Sequence, residues 1–116
     1  MGIRVAVATS DNIVVNQHFG HSKHFFIYDV CGDGEEDFQL VEDRSVKPPC
    51  SFGEHDQNCL EEAIQRLADC QYVLCNRIGS GALCMLLEYG IQCYEIGDYI
   101  NSSLKVLWHM QYNLSR

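Results

Sequence analysis

The chain has 116 residues, of which 47% are apolar and 21% charged. That is enough for one soluble domain around one hydrophobic core. Sixteen acidic against eight basic residues give a net charge of −8, which repels phosphate backbones and argues against general nucleic-acid binding. No apolar run approaches the ~20 residues of a membrane helix, which argues against insertion in a bilayer. The strand pattern starts at once, without the basic segment, apolar core and cleavage site of a secretory leader, so a cytoplasmic protein is expected. The seven cysteines then read as metal ligands or buried thiols rather than as a disulfide framework. No C-x-x-C pair is present, so neither a zinc ribbon nor a thioredoxin-type site is written here.

Ile3, Val5 and Val7 alternate with Arg4, Ala6 and Ala8, predicting a strand over 2–9. Ser10-Asp11-Asn12 is turn chemistry, and Ile13-Val14-Val15 reads as a short strand return. Phe25 to Val30 is a strongly apolar strand, Gly32-Asp33-Gly34 a turn, and Phe38 to Glu42 its hairpin partner. These three main strands form an antiparallel meander. Residues 44–56 carry no regular period, and Pro48-Pro49 excludes a helix or central strand there. Leu60, Ala63, Ile64, Leu67 and Ala68 then follow the helical template, with Asp56 placed to cap its start. Tyr72 to Cys75 is a short buried strand. A helix is expected from Gly79 to Tyr89, ended by Gly90. Ile91 to Ile96 is the last strand, and Ile100, Leu104, Leu107 and Trp108 mark a final helix. The order β-β-β-α-β-α-β-α predicts an α/β domain with one mixed sheet flanked by helices, its second half built of parallel crossovers. No internal repeat or linker interrupts it.

The segment of greatest chemical interest is Val14-Val15-Asn16-Gln17-His18-Phe19-Gly20-His21. Two imidazoles and a glycine fall within four residues, between two apolar strands. Neutral imidazole is the commonest protein metal ligand, and glycine lets a bulky group approach the backbone. The bland alternative is a pair of solvated loop histidines. His24 completes a His-x-x-His-x-x-His spacing that invites a zinc reading, but it opens a strand and is expected to point away. Cys50 and His55 sit on the irregular loop, where functional and idle polar residues both occur. Cys59 is a helix-start thiol or an inert first-turn residue. Cys31, Cys70, Cys84 and Cys93 lie in or beside apolar elements and read as small packed hydrophobes. Cys75 ends a strand near the loop and is ambiguous.

With these motifs in place, the chain resembles the family that binds the nitrogenase iron–molybdenum cofactor or its precursors. The matching residues are the strand Val5-Ala6-Val7-Ala8-Thr9, then Asn16, His18, Phe19, Gly20 and His21 of an N-x-H-F-G-H loop, then Phe25-Phe26-Ile27-Tyr28-Asp29. They continue with the Cys- and His-containing loop, Asp69 to Leu74, Arg77-Ile78-Gly79 and Gly90-Ile91. The resemblance spans almost the whole chain in the right order. It implies a ribonuclease H-like sheet of five main strands, three antiparallel and two parallel, in a single domain over residues 1–116. It also implies a non-catalytic binding or carrier role for an iron–molybdenum-type cofactor, a precursor or another metal–sulfur cluster. Proteins that donate and accept the cluster would be its partners.

Carried onto this sequence, the principal ligand is His18, with His21 and Cys50 as further metal ligands and His55 and Arg77 assisting. A preformed cluster brings its own sulfides, so a few terminal ligands suffice. Arg77 could hydrogen-bond those sulfides, and the helix opening at Gly79-Ser80-Gly81 also favours anions. Arg77 could equally be a surface ion-pair residue. Two alternatives stay open: a mononuclear zinc or copper site from His18, His21 and Cys50 or His55, and an interaction module without a cluster. A nuclease of ribonuclease H type is disfavoured. It needs clustered carboxylates, whereas the first strand offers Arg4, Ala6 and Ala8, and Asp29 has no evident partner.

Overall fold

Alternation in the first strand decides the architecture. In the computed structural model, which describes residues 2–46 and 57–114, β1 (Ile3–Val7) lies at the centre of a five-stranded sheet. Val5 and Val7 project to one side, against Ile100, Leu104 and Leu107 of α3 (Ile100–Leu114). Ala6 and Ala8 project to the other, into a core with Ile64 of α1 (Gln57–Gln65), Leu67 just beyond it and Leu86 of α2 (Ser80–Glu88). A central strand covered on both faces by helices needs apolar residues at both parities, and this one has them.

The sheet order is β3-β2-β1-β4-β5, with β2 spanning His24–Val30, β3 Phe38–Ser45, β4 Tyr72–Cys75 and β5 Gln92–Glu95. β2 is antiparallel to β1 and β3, while β4 runs parallel to β1 and β5 parallel to β4. The expected meander and the two parallel crossovers are therefore both observed. Gly90 takes φ +78°, a left-handed turn that β-carbons disfavour, and the Ile91 N–H closes back on the Leu86 carbonyl at 2.9 Å. No helix of the described residues is long and apolar enough to cross a membrane.

Two expectations are corrected. Ile13-Val14-Val15 is not a strand: only Val14 bridges, to Tyr99. The Asp11 carboxylate instead accepts the N–H groups of Ile13 and Val14, and the Thr9 hydroxyl donates to the Val14 carbonyl at 2.6 Å. Such local side-chain bonds compete with a ladder and win here. β3 also runs on to Ser45, past the expected end at Glu42. As an exposed edge strand it buries too little for alternation to show, and its charges guard the edge.

Asp29 does have a partner, and it is a cation. The Arg4 guanidinium pairs with Asp29 at 2.8 Å and with Asp69 at 2.9 Å, and Arg44 pairs with Asp69 at 2.7 Å. The carboxylate of Asp29 is thus committed to a network that ties β1 and β2 to the chain entering β4. Arg44 first, then Arg4, holds the Asp69 carboxyl well below the usual carboxylate range. A depressed folded-state pKa stabilises the fold above the unfolded value of about 3.9, and that contribution is lost as pH falls below it. Asp69→Asn is expected to cost about 1 kcal/mol at pH 7, since the side chain is 42% exposed and screened by solvent. Urea unfolding between pH 2 and 7 would show a flatter acid limb for the variant. Parallel curves would contradict this role.

Candidate functional site

β1, β4 and β5 end at the same edge of the sheet, the edge where α/β folds place ligands. The chain leaving β1 turns back along that edge. Gln17 N–H donates to the Ala8 carbonyl at 3.2 Å, Asn76 N–H to the Gln17 carbonyl at 2.9 Å, and Phe19 N–H to the Arg77 carbonyl at 2.8 Å. His18 thereby bridges Arg77 in a parallel sense, prolonging the pairing beyond the end of β4.

Within the N-x-H-F-G-H loop the residues divide by task. The Asn16 carboxamide oxygen accepts the Ser10 N–H at 3.0 Å and ties the loop to the turn before it. Phe19 is 1% exposed and packs on Phe25 at a ring separation of 5.7 Å. A short 3-10 turn from Phe19 to His21 follows, closed by His21 N–H on the His18 carbonyl at 3.1 Å. Phe19 is therefore a buried peg, and the two histidines beside it stay exposed. Their rings lie 5.8 Å apart with planes 17° from parallel, a stacked pair on the exposed side of the loop.

Arg77 is exposed, and none of the ion pairs among the described residues uses it, in contrast to Arg4 and Arg44. Beyond it, Gly79 caps α2 without a side-chain hydrogen bond, so the positive end of that helix has no side-chain cap. The fold thus brings the His18 and His21 rings together and pairs the His18 backbone with that of Arg77. Cys50 and His55 lie outside the described residues, as does the expected cap Asp56. His24 is engaged elsewhere, with Nδ1 on Asp43 at 2.6 Å.

The thiols meet expectation in part: Cys70 and Cys93 pack in or against the core, as expected, whereas Cys31 and Cys84 do not. Cys70 and Cys75 are buried, and burial pushes the Cys70 thiol up to about 12, which makes it inert. Cys75 lies beneath the edge rather than on it, with its sulfur 3.5 Å from that of the half-buried Cys93. Either thiol can donate in this contact, and the hydrogen bond with Cys75 together with burial raises the Cys93 pKa strongly. Cys31 and Cys84 are exposed and so are not core residues. Cys31 sits past the end of β2, and Cys84 falls on the outer face of α2, where neighbouring hydrophobic letters hide its exposure. Cys59 is half-buried in the first turn of α1.

Among the described residues no three of His, Cys, Asp and Glu converge as a metal-binding group. What the edge offers is two imidazoles, a guanidinium and a helix start, a set suited to a bulky anion that brings its own bridging ligands.

The family model described as dinitrogenase iron-molybdenum cofactor matches residues 1–108. The chain belongs to this family. Among relatives, it is 42% identical over 105 residues to the FeMo cofactor biosynthesis protein NifB of Frankia alni, covering 88% of this chain and 20% of that one. It is 31% identical over 101 residues to Protein NifX of Sinorhizobium fredii, covering 83% of this chain and 61% of that one. The chain therefore spans about a fifth of that NifB and about six tenths of that NifX. The crystal structure of PH0822 superposes with a TM-score of 0.67 at 25% identity, over 93% of this chain and 92% of that one. A crystal structure from Methanocaldococcus jannaschii shares the fold at a TM-score of 0.62 and 12% identity, over 96% of this chain and 92% of that one.

One polar residue at this edge escaped the sequence reading. Glu95, the last residue of β5, accepts the Ile78 N–H through Oε2 at 2.9 Å. A single carboxylate at a strand end carries no spacing signal that could have marked it.

Proposed function

We propose that this domain binds and carries a metal–sulfur cluster of the iron–molybdenum type, or a precursor or related cluster, as cargo and without catalysis. The observation that carries the reading is the bridge between His18 and Arg77, with the His21 ring 5.8 Å away from that of His18. His18 is the principal terminal ligand and His21 the second. Arg77 and the start of α2 offset the negative charge of the sulfides, answering the repulsion expected from a net charge of −8. Cys50 as a further ligand and His55 as an assisting residue are proposed from the segment that precedes α1 in sequence. Few protein ligands on an exposed edge suit a cargo that must be handed on, from a donor protein to an acceptor in the cytoplasm.

A mononuclear zinc site requires about four tetrahedral ligands, so beyond His18 and His21 it depends on both Cys50 and His55, whereas a cluster that brings its own sulfides does not. The cluster reading needs fewer, which favours it. The test is anaerobic purification followed by iron, molybdenum and acid-labile sulfide analysis. Iron or molybdenum together with sulfide is the expected result. About one zinc or copper per chain without sulfide would replace the cluster by the mononuclear site. A protein that holds no metal and takes up no supplied cluster would leave an interaction module.

A further inference from the structure

On its far side the Arg77 turn is held by β5 and the residue after it. Glu95 stands opposite Cys75 in the parallel register, and the Ile96 N–H reaches back to the Cys75 carbonyl at 2.9 Å. On the near side, the turn is held by the His18 loop through the Asn76 and Phe19 amides. Between Arg77 and the cap of α2, the Ile78 amide has a side chain as its acceptor, the Glu95 carboxylate at 2.9 Å. Glu95 is exposed, and its bond to Ile78 brings a negative charge to the turn that carries Arg77, a residue that none of the ion pairs among the described residues uses.

We propose that Glu95 is a positioning residue of the cargo site: its carboxylate ties the Arg77–Gly79 turn to β5, and its charge loosens the grip on an anionic cluster. The second half rests on the carrier reading above; the first does not. The two properties separate by substitution. Glutamine keeps an acceptor oxygen and removes the charge, whereas alanine removes both. A charged acceptor makes a stronger bond to an amide than a neutral one, yet either restrains the turn. A like charge near a bound anion weakens it most at low ionic strength, since salt screens exposed charges.

The experiment compares wild type, Glu95→Gln and Glu95→Ala by amide exchange at Ile78, followed by NMR, and by titration with tetrathiomolybdate, a molybdenum–sulfide dianion. In Glu95→Ala the Ile78 amide is expected to exchange about tenfold faster and the dianion to bind several-fold more weakly. In Glu95→Gln exchange stays near wild type, and binding tightens about threefold at low salt, a gain that fades at about 0.5 M salt. A structural role alone would not produce that salt-dependent gain. Unchanged Ile78 exchange in Glu95→Ala overturns the positioning role. Equal weakening in both variants, at every salt concentration, overturns the role of the charge. If wild type binds no dianion while Glu95→Ala frees the Ile78 amide, the carrier reading fails and the hold on the turn stands.

Discussion

Replacing His18 with alanine is expected to abolish retention of a metal–sulfur cluster while leaving the domain folded. The hydrogen bonds that shape the loop on either side of His18 are made by main-chain groups. Phe19 N–H still reaches the Arg77 carbonyl, and His21 N–H still reaches the His18 carbonyl. The imidazole itself is exposed, so its removal from the fold is expected to change stability by no more than about 0.5 kcal/mol. Its effect on a bound metal is of another order. Changes that only touch a ligand's supporting partner cost about 10- to 100-fold in affinity, so losing the ligand is expected to exceed about 100-fold. Iron and sulfide remaining after gel filtration, alongside urea unfolding, measure the two quantities in one preparation. His24→Ala is the control, because His24 is committed to Asp43. A folded His18→Ala protein with wild-type metal and sulfide would remove His18 from the site.

Phe19→Ala is expected to show the opposite signature. The ring is 1% exposed and belongs to the cluster formed by Ala6, Ala8, Phe25 and Cys75. Truncating a buried phenylalanine leaves a cavity and costs about 3–5 kcal/mol, a large share of the stability of a domain this size. Urea midpoints should fall accordingly, with an unchanged slope if unfolding stays two-state. Cluster retention should fall as well, because the loop loses the side chain that seats it between the histidines. Phe19→Leu keeps most of the volume and should recover most of the loss. A cost under about 1 kcal/mol for the alanine variant would mean that the H-F-G loop is not part of the core.

Period-two alternation made β1 readable, the i, i+3, i+4 spacing made α1 readable, and the order of elements then implied the mixed sheet. Those signals are repeated along a segment, so several residues report each element together. Ile13-Val14-Val15 looked like a strand by the same rule. It failed because Asp11 and Thr9 capture its backbone groups, a competition between side chain and ladder that hydropathy does not record. The histidines of the site were visible because two imidazoles and a glycine crowd into four residues. Glu95 was not, nor was the partnership of Asp29 with Arg4. Each rests on one pair of residues brought together by strand register, which no local pattern encodes. Exposure of Cys31 and Cys84 was hidden for a related reason. Their apolar neighbours said only that the element was buried on average.

The bridge between His18 and Arg77 also sets an order of events in the life of the chain. Both histidines of the loop emerge early, between β1 and β2, and the antiparallel meander can form around them from local contacts. The carbonyl that receives the Phe19 amide belongs to a residue made only after β4. Contacts so distant in sequence close late, because the intervening loop must first give up its freedom. A nascent domain therefore exposes both imidazoles before it can orient either one. On the carrier reading, competence to load arrives when β4 pairs with β1 and brings Arg77 to the loop, so half-made chains are poor competitors for scarce cargo.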